Sequence, residues 1–412
     1  MSETNIVAVS ANELLLLMAS ISILGIIGGF IGEKLKIPDV VIYLLFGVAF
    51  GPIFFNIVNI DSYPVANELI LNFGSAFILY EGGREIKLKI LNKVKITVLM
   101  LASLGVFITA STIAVGAFYI LNLPISTSIL LGSIVASTDP ASLIPVFKQV
   151  SIHKMLKQTV ISESAFNDAF GAILFSSVLA GVTMTQETSL GQTVLQLVFM
   201  ILIGLIVGVV VALIGVALSS NKQYGIFHKY APIISLVIAI LAYEISEKLG
   251  GSGYMSVFIA GLVAGNKKTF HLWIDDEPYI EGVHFRECIA TISRMAIFIV
   301  LGTHLDLNSL IKYGWKSLLV VLILLFIARP LVVLICTAFD KKANWSWNEK
   351  LFMMWVRETG VIPAALSGIV VSNKVPGYEI ISSTVFMAIV VTLLVQASST
   401  GIVAKKLNVL EE

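Results

Sequence analysis

Two acidic residues in strongly apolar surroundings are the first candidates for chemistry. Asp139 lies in the run ISTSILLGSIVASTDPASLIPVF and Asp168 in QTVISESAFNDAFGAILFSSVLAGV. They are equidistant from position 153.5, within the basic loop KQVSIHKMLK. A hairpin of two helices therefore places both at one level. Each would lie about ten residues, or roughly 15 Å at 1.5 Å per residue, inside the loop edge. That is half of a hydrocarbon core about 30 Å thick. Two carboxylates at that depth cannot both stay ionised cheaply unless a cation joins them, because burial and like charge each disfavour the second negative charge. Such a pair holds protons or a metal cation. Competition between the two for one set of oxygens is a physical basis for exchange. The bland reading of Asp139 is a kinked helix with a protonated aspartate, and that of the pair is a shared structural proton.

The neighbours fit the first reading. Thr138 precedes Asp139, and Pro140 and Pro145 follow it. Proline lacks a backbone N–H, so carbonyls here, and the hydroxyls of Ser137 and Thr138, are freed to bind a cation. Broken backbone at this depth is tolerated where it is buried in protein or lines a cavity. Glu163, Ser164, Asn167 and Asp168 fall within six residues. Ser164 and Asp168 share one helix face by i, i+4 spacing, and Glu163 and Asn167 the next. A later run, LFMMWVRETGVIPAALSGIVV, carries Arg357 and Glu358, with Gly360 and Pro363 loosening its helix. A buried arginine needs a carboxylate partner. Glu163 lies at a similar depth, so Arg357–Glu163 is the expected structural pair, with Glu358 the other candidate. Glu81 lies one turn inside the membrane edge, either snorkelling to water or lining a funnel to the site. Arg294 and Arg329 are the other intramembrane cations, expected in structural support. The five histidines read as loop residues, and Cys288 and Cys336 as core residues. Gly25, Gly29 and Gly32 suit an oligomer contact or intramolecular packing equally. The stretch FHLWIDDEPYIEGVHF is expected at the inner surface.

These residues need an apolar scaffold, and the composition supplies it. Of 412 residues, 57% are hydrophobic and 13% charged, with a mean hydropathy of +0.94 and a net charge of +1. Soluble domains have about 45–50% apolar and about 25% charged residues. A soluble enzyme, a nucleic-acid binder and a disordered chain are excluded. The apolar runs divide into thirteen spans. With the N-terminus outside, twenty Lys and Arg fall in inward loops and four in outward loops. That bias supports an odd number of spans and a cytoplasmic C-terminus. The N-terminus lacks the basic region and cleavage site of a signal peptide. Thirteen spans divide as six, one and six, the plan of inverted repeats. The expected fold is all-α and polytopic, with broken helices 5 and 12 crossing near the midplane.

Thr138-Asp139-Pro140, Glu163-Ser164-Ala165-Phe166-Asn167-Asp168, Tyr80-Glu81-Gly82-Gly83 and Arg357…Gly360…Pro363 stand in order along the chain. Together they resemble the monovalent cation:proton antiporter-1 family, NhaP type. The resemblance implies a thirteen-helix homodimer in the cell membrane, exchanging Na⁺ (or Li⁺, or K⁺) for H⁺ in pH homeostasis. It is not an enzyme and uses no cofactor; its partners are small cations, protons and lipid. A core would move against a dimerisation domain. Residues 1–95 and 221–305 would form the dimerisation domain, 96–183 and 306–412 the core, and 184–220 the linker helix. The resemblance implies that Asp168 is the main carrier of cation and proton. Asp139 and Ser164 would be ligands, Thr138 would act mainly through its backbone, and Asn167 would support the site. Glu81 would contact the site through water. Asn before the Asp implies electroneutral exchange. Relatives usually carry Arg-Gly where this chain has Arg357-Glu358-Thr359-Gly360, so Glu358 departs from the pattern. Two other classes compete: a sodium-coupled symporter of organic anions, and an intramembrane aspartyl protease, whose Tyr-Asp and Gly-x-Gly-Asp motifs are lacking.

Overall fold

In the computed structural model the described residues are all except 1–2, 36, 140–146, 148–151, 184–189, 221–224, 273–275, 341 and 411–412. Pro140 and Pro145, and the break expected of them, lie outside this set. The helices are α1 (Glu3–Leu35), α2 (Asp39–Phe50), α3 (Pro64–Glu85), α4 (Leu88–Ala102), α5 (Leu104–Gly116) and α6 (Ile125–Ala136). There follow α7 (Lys154–Thr183), α8 (Leu190–Leu218), α9 (Ala231–Lys248), α10 (Gly253–Gly265) and α11 (Asp276–Thr303). The last are α12 (Leu307–Ile323), α13 (Arg329–Ala338), α14 (Trp347–Trp355), α15 (Val361–Ser372), α16 (Tyr378–Val391) and α17 (Ser398–Lys406).

The fold is all-α, as its apolar runs require: in lipid each backbone polar group must be satisfied within its own segment. Seven helical stretches among the described residues are long and apolar enough to cross a membrane by length and composition. Three of them contain a π turn, at Ala117–Leu121, Leu324–Ala328 and Thr392–Ala397. Breaks subdivide others, so helices outnumber the expected spans. Large apolar side chains such as Leu16, Phe30, Ile206, Ile311 and Phe326 point outward, the pattern of helices solvated by lipid.

Helix pairs that bury no hydrophobic surface from water are held by close packing, which small residues permit. At Gly261 and Gly265 of α10 an added Cβ would overlap the backbone of Tyr80 and Arg84 on α3, and at Gly83 the backbone of Phe258. Gly47 of α2 and Gly302 of α11 meet in the same way. Gly25 packs against Met295, Gly29 against Tyr43, and Gly32 against Ile37 and Asp39, all of the same chain. One set of helices thus comprises α1, α2, α3, α8, α9, α10 and α11. A second comprises α4, α5, α6, α7 and α12 to α16. α7 and α15 of the second set touch the first, against α3, α10 and α11.

Two expectations are corrected. Cys288 is exposed, and Cys336 alone is a core cysteine. From Asp276 the stretch FHLWIDDEPYIEGVHF is continuous with helix α11. His304, in the turn after α11, is buried rather than solvated, where that end of α11 packs against α2.

Candidate functional site

The site is built where the end of α6 meets the unwound stretch between α14 and α15. α6 ends at Ala136, and Ser137, Thr138 and Asp139 continue without helical structure. α14 ends at Trp355, residues 356–360 are unwound, and α15 begins at Val361. The two unwound segments are tied to each other: the Asp139 N–H donates to the Glu358 carbonyl at 2.9 Å.

Such breaks expose helix ends. The last carbonyls of a helix lack partners and carry partial negative charge, and the first N–H groups carry partial positive charge. Each end has an answer of the right sign. Arg357 donates through Nη2 to the Val135 and Ala136 carbonyls at the end of α6. Arg329 donates through Nε to the Met353 carbonyl at 2.8 Å and through Nη2 to the Val356 carbonyl at 3.2 Å, at the end of α14. The N-terminus of α15 faces Asp139, whose Oδ2 accepts from the Val361 N–H at 3.2 Å. An added Cβ at Gly360 would overlap the Asp139 carboxyl group. Gly360 is therefore glycine because the Asp139 carboxylate occupies the space of a side chain.

The third wall is α7, which is continuous. Glu163 forms a bidentate ion pair with Arg329, its Oε2 lying 3.0 Å from Nη2 and its Oε1 bonded to Nη1. The expected pair Arg357–Glu163 is thus corrected: Glu163 is held by Arg329, while Arg357 is committed to the carbonyls of α6. Matching depths along the sequence could not separate the two arginines. The missed signal was the break itself, whose exposed carbonyls compete for a guanidinium.

Asn167 clamps the first unwound segment. Its Oδ1 accepts from the Thr138 N–H at 3.0 Å, and its Nδ2 donates to Thr138 Oγ1 at 2.8 Å. Thr138 Oγ1 also lies 2.8 Å from Ser164 Oγ. Thr138 is held by backbone and hydroxyl alike. Asp168 follows on the same helix face as Ser164. It is 7% exposed, and its Oδ1 has no hydrogen-bond partner. Asp139 lies within electrostatic reach of it. Asp139, Thr138, Ser164, Asn167 and Asp168 therefore come together.

Other candidates stand elsewhere. Glu81, near the end of α3, pairs with Arg286 at 3.0 Å and Arg84 at 3.5 Å. Its helix passes close to the site, since Cβ at Gly82 would meet Ala165 at 3.8 Å. Arg294, on α11, interacts electrostatically with Tyr43. Glu358 is 1% exposed, and neither carboxylate oxygen has a hydrogen-bond partner. Two residues of the wall went unseen in the sequence. Thr392 accepts from the Thr359 N–H at 3.0 Å, and Gln396 donates to the Trp355 carbonyl. Both sit in the π turn between α16 and α17. A π turn leaves no periodic signature, although such turns concentrate at functional sites.

Chemically, the arrangement offers a buried carboxylate with an uncommitted oxygen, a second carboxylate anchored by a helix N-terminus, and a hydroxyl beside them. Oxygen ligands of this kind suit hard cations.

Comparison with known proteins agrees over nearly the whole length. A family model described as sodium/hydrogen exchanger, transmembrane, matches residues 18–406. The chain is 33% identical to Na(+)/H(+) antiporter 1 of Methanocaldococcus jannaschii, over 93% of each. It is 27% identical to the K(+)/H(+) antiporter NhaP2 of Shewanella oneidensis, over 96% of this chain and 67% of that one. The structure of the sodium proton antiporter MjNhaP1 at pH 8 superposes with a TM-score of 0.83 at 30% identity, covering 96% of this chain and 99% of that one.

Proposed function

We propose that this chain, which belongs to the sodium/hydrogen exchanger family, exchanges one monovalent cation for one proton by alternating access. The observation that carries the reading is Asp168, buried in the crossing with an oxygen that accepts no hydrogen bond. Asp139 spends one oxygen on the Val361 N–H, so its negative charge is stabilised by the protein. Asp168 has no comparable anchor on that oxygen and is free to take a cation or a proton in turn. Ser164, whose hydroxyl is oriented by Thr138, supplies a neutral ligand, and Asn167 fixes the segment that presents Asp139. Because Asn167 is neutral, the exchanging charge is that of Asp168, which fits one cation per proton. Na⁺ is the proposed substrate, with Li⁺ and K⁺ as competitors.

The helices that carry the site, α4 to α7 and α12 to α17, would move as a core. The remainder, α1 to α3 and α9 to α11, would serve as a fixed frame joined through α8 and paired in a homodimer. The apolar outward faces of α1 and α8 support a membrane-embedded contact. The distribution of Lys and Arg supports a cytoplasmic C-terminus in the cell membrane. The antiparallel bridge between Ile152 and Leu410 fits, since it places the basic loop and the C-terminus on one side.

The test is cation-induced dequenching of a pH dye in proteoliposomes, run with Li⁺, Na⁺ and K⁺ in turn. Asp168→Asn is expected to abolish exchange with all three. Exchange equal to the parent in Asp168→Asn overturns the reading. Proton-independent uptake of an organic anion would transfer the chain to the symporter class.

A further inference from the structure

Glu358 is unused by the exchange just described, yet it is as deeply buried as any charged group in the protein. Among the described residues it is the buried carboxylate whose two oxygens both lack a hydrogen-bond partner. Asp139, Arg329 and Arg357 lie within electrostatic reach of it, as does its own backbone N–H. Neither arginine donates to its carboxylate. Arg329 is bound to Glu163 and to two carbonyls. Arg357 donates from Nη2 to the end of α6, and its Nη1 makes no hydrogen bond.

Two other buried oxygens without a hydrogen-bond partner belong to the same two packed segments. One is Thr359 Oγ1, the next residue, and the other is Gln396 Oε1. Thr359 and Gln396 belong to one contact surface. The Thr359 N–H is bonded to Thr392, and Gln396 is bonded to the Trp355 carbonyl. Residues 355–359 therefore run along the π turn of residues 392–397, with Glu358 between the two tie points. Oxygen atoms without donors are costly to bury, and an ionised carboxylate most of all. Arg329 and Arg357 offset part of the Glu358 charge through space, but no side chain donates to its oxygens.

The charge of the crossing leads to the same conclusion. It contains four carboxylates, Asp139, Glu163, Asp168 and Glu358, against two guanidiniums, Arg329 and Arg357. One monovalent cation at Asp139 and Asp168 leaves a negative charge uncompensated. We propose that Glu358 forms a second monovalent-cation position, with its two carboxylate oxygens as the principal ligands and Thr359 Oγ1 and Gln396 Oε1 as neutral oxygens. Its ligands come from the unwound stretch after α14 and the π turn, whereas Asp168 stands on α7. Alkali cations are the class it takes, since all the donors are oxygen and only one is charged.

The inference rests on the exchange reading, and the experiment separates the two. Equilibrium binding of ²²Na⁺ to the purified full-length protein in alkaline buffer counts ions per protomer, with unlabelled Na⁺, Li⁺ and K⁺ as competitors. The parent is expected to bind twice as many ions as Glu358→Gln, and Asp168→Asn is expected to lose the other ion. Thr359→Val keeps the carboxylate and is expected to weaken the second site about tenfold while leaving the first unchanged. This variant serves if Glu358→Gln does not fold. A parent that binds a single ion overturns the inference, as does an equal count in the parent and Glu358→Gln. Dye dequenching that survives in Asp168→Asn overturns the exchange reading instead, whatever the ion count.

Discussion

Gly360→Ala tests whether the N-terminus of α15 holds Asp139. Gly360 has a φ of −140°, so no left-handed backbone opposes a side chain there. The objection is steric: the new Cβ would overlap the Cβ, Cγ and Oδ2 of Asp139. Either α15 or the carboxylate must move. α15 is packed against α3, α11 and α16, and Gly368 on it already abuts Leu71, so the carboxylate is the cheaper group to displace. Displacement breaks the bond from the Val361 N–H to Oδ2. Hydrogen bonds to charged groups are worth about 1.5–3 kcal/mol, which corresponds to roughly ten- to 150-fold in cation affinity. The measurement is the Na⁺ concentration giving half-maximal dye dequenching, with thermal stability followed in the same preparation. A half-maximal concentration equal to that of the parent would refute the clamp. A collapse in stability with unchanged affinity would also do so, since it would mean that α15 had moved instead.

Further expectations concern the remaining charges. Removing one partner of a buried ion pair costs about 3–5 kcal/mol, so unfolding measurements on Arg329→Met, Glu163→Leu and the double variant should show strong coupling. The same cycle with Arg357 in place of Arg329 should show little; equal coupling in both would contradict the assignment. Asn167→Ala removes both bonds that fix Thr138 and should raise the half-maximal Na⁺ concentration about tenfold or more, as the same dye assay reads. Burial, and then the charges of Arg84, Arg286 and Lys268, push Lys267 down to about 7. Between that value and the ordinary lysine value of 10.5 the unfolded chain holds a proton that the folded one lacks, so stability rises with pH across this window. Lys267→Met should therefore raise the melting temperature more at about pH 6 than at about pH 9, and an equal gain at both would count against the shift.

The chemistry-bearing residues were legible because apolar surroundings make a charge conspicuous. Asp139, Glu163, Asp168, Arg329, Arg357 and Glu358 all stand out in runs where ionisable groups are expensive. Hairpin arithmetic brought Asp139 and Asp168 to one level, and helical spacing put Ser164 beside Asp168. Partnership was less legible. Arg329 and Arg357 have the same side chain at comparable depth, and the choice between them is made by carbonyls at the ends of α6 and α14, which no residue letter marks. The contributions of Thr392 and Gln396 were hidden for a related reason. They depend on a π turn and on donors in the backbone, so their polarity reads as incidental in the sequence.

The broken helices explain why the exchanging group should be on a helix that is not broken. Ending α6 and unwinding the chain between α14 and α15 inside the protein creates polar ends that must be neutralised: two C-termini and the start of α15. Arg357 and Arg329 serve the first two, and Asp139 serves the third. Each of these charges is therefore required by the backbone throughout the cycle, and altering it unsettles the break. Asp168 stands on α7, whose backbone groups are satisfied within the helix, so it owes nothing to a helix end. Its charge is free to change without cost to the scaffold. That is why we propose Asp168 as the carboxylate that alternates between cation and proton while the charges around it stay fixed.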